Sequence, residues 1–189
     1  NDDFAAEGNE TFALTATVTA GTTGNASATG TATITDDSDV TTVTLSATPS
    51  VAEGGSIVYT ATLTTAAVTA MTVTLSSGQT IAIAAGAISG SVSILAPTDD
   101  PYIDAGSVSR TIASTSGGGF ESLSIDGTAA TTTVSDTIDT TTATLTATPA
   151  VAEGGTITYT VSLTAPVTGS DVSVLLANGQ TVTIPVGAS

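Results

Sequence analysis

Apolar residues alternate with Thr or Ser along most of this chain. Val43, Leu45 and Ala47 form one such set, Ile57, Tyr59, Ala61 and Leu63 a second, and Met71, Val73 and Leu75 a third. A period of two turns one side of an extended strand inward and leaves the hydroxyl side in water, so each set predicts a half-buried β-strand. The β-branched Val, Ile and Thr that fill these stretches suit a pleated surface. Further strands are expected near residues 81–83, 92–94, 108–112 and 131–134. Turns are expected at Glu53-Gly54-Gly55, Ser77-Gly78 and Ala85-Gly86, where glycine supplies the backbone freedom. No segment carries a helical period. About seven short strands in roughly a hundred residues predict an all-β fold of Ig-like β-sandwich type.

The alternation itself repeats. Residues 41–64, TTVTLSATPSVAEGGSIVYTATLT, return one hundred positions later as residues 141–164, TTATLTATPAVAEGGTITYTVSLT, with seventeen of twenty-four positions identical. The match runs forward from Ser77-Gly78-Gln79 to Asn178-Gly179-Gln180 after a one-residue insertion, and backward from residues 132–139 to 32–39. A repeat of this length is a whole small domain. The reading is therefore residues 1–39 as the C-terminal half of one sandwich repeat, 40–139 as a complete one, and 140–189 as the N-terminal half of the next, in an extended tandem array.

Composition then narrows the function. Seventeen acidic residues face a single basic one, Arg110, with no Lys and no His, for a formal charge of −16. Nucleic acid and anionic membrane surfaces need clustered Lys and Arg, so neither is an expected partner. Cysteine is absent, which removes disulfides, zinc-thiolate sites and thiol nucleophiles. No basic segment opens a signal peptide, and the apolar run at 81–88 is too short to span a membrane, so direct membrane insertion is not expected.

The acids are not scattered. Thirteen of the seventeen fall at six places: Asp2, Asp3 and Glu7; Asp36, Asp37 and Asp39; Glu53; Asp99, Asp100 and Asp104; Asp136 and Asp139; and Glu153. None lies inside an alternating strand. Like charges this close repel by about 1 kcal/mol per contact pair even in water, so a fold that gathers them calls for a cation. Carboxylates without His or Cys point to Ca²⁺, which takes six to eight oxygens in flexible geometry. Asp36, Asp39, Asp136 and Asp139 fall between repeats, Glu53 and Glu153 in the glycine turn, and Asp99, Asp100 and Asp104 in a long loop. The expected convergence is Asp36, Asp39, Glu53, Asp99, Asp100 and Asp104 at the pole where the preceding linker enters. The neighbouring junctions draw on Asp136, Asp139 and Glu153, and on Asp2, Asp3 and Glu7. Isolated acids such as Glu121, Asp126 and Asp171 read as ordinary turn residues.

The central repeat, with TLSATPSVAEGGSIVYTATLT, a DDPYIDAG loop and a closing TTTVSDTIDTTT, resembles the bacterial Ig-like extender repeats of very long RTX/Lap-type biofilm adhesins. Residues 1–39 are similar to the Calx-β pattern. The resemblance implies an extracellular stalk on a bacterial surface, with Ca²⁺ at the domain junctions stiffening it and neighbouring repeats of the same chain as its partners. By position it assigns Asp36, Asp39, Asp136 and Asp139 to the linker acids and Glu53 and Glu153 to the turn glutamate. The glycine-rich RTX nonapeptide itself is absent.

Other functions fit the residues less well. A chain without His, Cys or Lys lacks the usual bases and nucleophiles, and it carries neither a phosphate-cradling GxxxxGK nor an EF-hand loop, so an enzyme is not expected. A calcium-dependent carbohydrate-binding module would want exposed aromatics. The candidates Tyr59 and Tyr159 share one repeat position on an inward-alternating strand and are expected in the core. A self-assembling filament or S-layer subunit, with other copies as partners, remains the alternative to a covalent stalk. Arg110 is expected to pair with a nearby carboxylate.

Overall fold

The computed structural model describes residues 4–5, 7–21, 27–35 and 38–189, and among them it has sixteen strands and no helix. The alternating segments become β1 (Glu10–Thr17), β2 (Ser27–Ile34), β3 (Val40–Ala47), β4 (Ser50–Ala52), β5 (Ser56–Leu63), β6 (Met71–Leu75), β7 (Thr80–Ile83) and β8 (Ser89–Leu95). They continue as β9 (Gly106–Arg110), β10 (Ile112–Gly117), β11 (Ser122–Ile125) and β12 (Ala130–Ser135). The single strand expected at 108–112 is split between β9 and β10, while β4 and β11 carry no alternation long enough to announce them. The chain divides into two compact units. The first holds the described residues up to Val51 together with Ser56–Leu95 and Ser107–Thr133; the second holds Ala52–Gly55, Ala96–Gly106 and Val134–Ser189.

In the first unit, one sheet runs β11-β3-β5-β8 and a second β10-β6-β7; β4, β12 and β9 pair in the order β4-β12-β9. The alternation is realised residue by residue. Ile57, Tyr59, Ala61 and Leu63 of β5, Met71, Val73 and Leu75 of β6, and Ile81 and Ile83 of β7 are all buried, and the residues between them are mostly exposed. Burying a side chain such as Ile57 or Leu75 contributes about 1.5–3 kcal/mol, and burial from both sheets is what a β-sandwich requires. Glycine permits one close approach: a Cβ on Gly90 would lie 2.1 Å from the Ala82 carbonyl oxygen. Strands β1 and β2 pair as a hairpin, Glu10 opposite Ile34, with every residue exposed. Arg110 does not find a carboxylate among the described residues; its Nη1 donates to the Ser109 carbonyl at 2.8 Å and its Nε is buried without a partner.

In the second unit, residues 140–189 form two antiparallel pairs, β13 (Ala143–Ala147) with β14 (Tyr159–Leu163), and β15 (Val172–Leu175) with β16 (Thr181–Ile184). The repeat seen in sequence returns bond for bond. Thr148 N–H to Thr158 O matches Thr48 N–H to Val58 O, both 3.0 Å, and Leu176 N–H to Gln180 O matches Leu75 N–H to Gln79 O, both 2.8 Å, across the one-residue insertion. Burial does not follow. Tyr59 is fully buried as expected, whereas Tyr159 is 48% exposed, because β13–β14 and β15–β16 stand as separate two-stranded sheets. A cavity of about 210 Å³ lined by Leu145, Tyr159, Leu176, Ala177 and Asn178 opens beside its ring.

Candidate metal centre

Strand β3 ends at Ala47, and three residues later, just past Pro49, the chain is in a different sheet. Thr133 N–H donates to Pro49 O and Glu53 N–H to Ser135 O, each at 3.0 Å; both numbers rise together, so β4 and β12 run parallel. That pairing delivers Glu53 to the end of β12, one residue before Asp136. The glycine turn then fastens to the start of the long loop: Gly54 N–H reaches Pro97 O at 2.7 Å and Ala96 N–H reaches Gly55 O at 2.9 Å. Gly54 holds φ at +68°, where a side chain would be strained.

The loop brings its acids to the same place. Asp100 accepts the Tyr102 N–H at 2.9 Å, Asp99 accepts the Thr137 hydroxyl, and the Tyr102 hydroxyl donates to Pro166 O at 3.1 Å. Glu53, Asp104 and Asp136 each present an oxygen within 4.8 Å of the others. Glu53 is 7% exposed, Asp136 half-buried and Asp104 exposed. Oε2 of Glu53 and Oδ1 of Asp136 are buried and accept no hydrogen bond.

The electrostatics follow from this crowding. A hydrogen bond with the Asp104 carboxyl, burial, and the negative charges of Asp104, Asp136 and Asp100 push the Glu53 carboxyl from 4.5 up to about 7. A buried carboxylate oxygen without a donor carries its desolvation cost uncompensated. No Lys or His exists to neutralise the group, since Arg110 is the only basic residue. The donor set, oxygen only and anionic, fits a hard divalent cation. The orphaned oxygens of Glu53 and Asp136 are the observation that makes the fit more than a count of acids.

The remaining expected acids are placed differently. Asp2, Asp3, Asp36 and Asp37 lie outside the described residues. Glu7, Asp139 and Glu153 are exposed and stand outside the group of three, while Asp99 and Asp100 flank it in the loop. Asp39 belongs to the first unit, where its N–H donates to Glu121 Oε2 at 2.6 Å. The sequence grouped Glu53 with the linker that enters the central repeat; the structure groups it with the linker that leaves. The cause is the sheet switch at Pro49, which pairs β4 with the last strand of the repeat. Two contributors went unread, Thr137 and Tyr102. Thr137 is one threonine among many, and Tyr102 stands out in the sequence only as a member of the loop motif.

No curated protein and no solved structure matches the chain. A family model, that of the LapA domain, matches residues 39–137 and again residues 139–189, starting one hundred residues apart. Two copies in register with the internal repeat cover most of the sequence, and the chain belongs to the LapA domain family.

Proposed function

We propose that the chain is an extender segment of a bacterial cell-surface adhesin, and that Ca²⁺ held by Glu53, Asp104 and Asp136 stiffens the join after the central repeat. The LapA family is adhesin-related, which supports a surface role and no catalytic one. The observation that carries the calcium reading is the Glu53 carboxylate, 7% exposed, with one buried oxygen lacking any partner and two further carboxylates within 4.8 Å. Bound there, the ion supplies positive charge that the chain lacks. It joins residues far apart in sequence, the turn at Glu53, the loop at Asp104 and the linker at Asp136, and so restricts their relative motion. Repeat spacing carries the same roles to Asp36, one hundred residues before Asp136, to Glu7 in the corresponding loop and to Glu153 in the corresponding turn.

Thermal melts and small-angle scattering with Ca²⁺ and with chelator test this. A higher melting temperature and a longer, better defined maximum dimension in Ca²⁺ are expected. An unchanged melting temperature with an unchanged maximum dimension rules it out.

A further inference from the structure

Tyr102 sits in the acidic loop yet makes its polar side-chain contact elsewhere. Its N–H holds Asp100 Oδ1 at 2.9 Å, and its hydroxyl donates to Pro166 O at 3.1 Å, sixty-four residues on and in the repeat that follows. Loop and acceptor belong to one compact unit, which takes the Glu53 turn and residues 96–106 together with everything from Val134 onward. The acceptor is stiff. Proline fixes its own φ, and the next residue is pinned at both ends, Val167 N–H to Ala188 O and Gly187 N–H to Val167 O, each 2.8 Å. The ring itself is half-buried.

We propose that Tyr102 is a latch that ties the acidic loop to the following repeat, so that the seating of that repeat and the arrangement of Asp100 and Asp104 depend on each other. The latch stands on the hydrogen bonds alone; its coupling to cation binding rests on the calcium reading above. A group that links two elements transmits order in both directions, because coupling free energies are reciprocal. Ordering Asp104 around a cation steadies the loop and hence the repeat gripped by Tyr102, and releasing the repeat loosens the loop. The preceding loop, from Asp2 to Gly8, holds no tyrosine, and Ala66 stands where the later repeat has Pro166. The latch is thus missing from the preceding loop, and these two joins differ in stiffness.

The test is Tyr102→Phe in the full chain, which removes one hydroxyl and keeps both the ring and the N–H that holds Asp100. The chain has no native cysteine, so cysteines at Thr98 and Ser173 take spin labels cleanly. In chelator, the Phe variant should give a broader loop-to-repeat distance distribution than its parent. Its Ca²⁺ affinity by calorimetry should fall about fivefold or more, the lower end of typical coupling. A distribution as narrow as the parent's overturns the latch, and an unchanged affinity with a broadened distribution overturns the coupling. If the parent itself takes up no Ca²⁺, the calcium reading fails and the chelator comparison alone decides the latch.

Discussion

Replacing Asp136 with Asn separates a cation site from a merely acidic patch, because its two effects have opposite signs. The Asp104 and Asp136 carboxylates approach within 4.8 Å. Two unit charges at that distance repel by about 0.9 kcal/mol in bulk water and about 3.5 kcal/mol at the effective dielectric typical near a protein surface. Asn keeps the shape of Asp136 and removes that repulsion, together with the one against Glu53. In chelator at pH 8, above the value of about 7 to which Glu53 is raised, Asp136→Asn should therefore melt higher than the parent. Each kcal/mol moves the midpoint of a domain this size by roughly 4–8 °C, so a gain of about 4 °C or more is expected. Calcium reverses the order. At free Ca²⁺ a hundredfold above Kd, binding adds about 2.7 kcal/mol to the parent, worth more than about 10 °C, while the Asn variant has lost one of three anionic ligands. The assay is differential scanning calorimetry in both conditions. If Asp136→Asn melts below the parent in chelator and gains as much from Ca²⁺, the three acids are not a cation site.

Three further outcomes are expected. Glu53 takes a proton up to about pH 7 when folded but only to 4.5 as a free side chain, so its stabilising contribution is full below 4.5 and lost as pH climbs through about 7. In chelator the melting advantage of Glu53→Gln over the parent should grow from pH 5 to 8, and Ca²⁺ binding near neutrality should release protons, seen as a buffer-dependent heat; a flat gap and buffer-independent heats contradict the crowded site. Ile57→Ala should cost about 2–5 kcal/mol in urea melts and Ile157→Ala clearly less, since Ile57 is fully buried and its repeat counterpart is 51% exposed; equal costs would mean that the two repeats bury this position alike. Gly90→Ala, whose Cβ would meet Ala82 O at 2.1 Å, should cost about 1–3 kcal/mol by forcing β7 and β8 apart, against almost nothing for Gly30→Ala in open space, and indistinguishable variants would show that those strands do not approach so closely.

The features legible in sequence were those that local periodicity controls. Strands β5, β6 and β7 bury every second residue over four or more positions, and that pattern is visible without a structure. Strand β4 has three residues, and β11 joins β3 in parallel from just over eighty residues away, so neither leaves a periodic trace. The same limit governs the site. Glu53, Asp104 and Asp136 could each be named from turn, loop and linker composition, but which linker meets Glu53 depends on the sheet that receives β4. A three-residue strand decides this, and it does so through backbone bonds that no side chain advertises. Tyr159 shows the converse: its sequence environment copies that of Tyr59, yet burial depends on the sheets around it.

The parallel pairing of β4 with β12 has a mechanical meaning. Tension that enters the central repeat through β3 and leaves at its end pulls β4 by its first residues and β12 by its last. The bonds from Thr133 to Pro49 and from Glu53 to Ser135 then lie across the line of force and are sheared together. The β1–β2 hairpin is loaded the other way, since Glu10 and Ile34 are paired at its open end and its bonds break singly, in order, from that end. A central repeat pulled from its two ends should thus yield at a higher force than the hairpin, and one of the bonds that share the load is the one Glu53 donates.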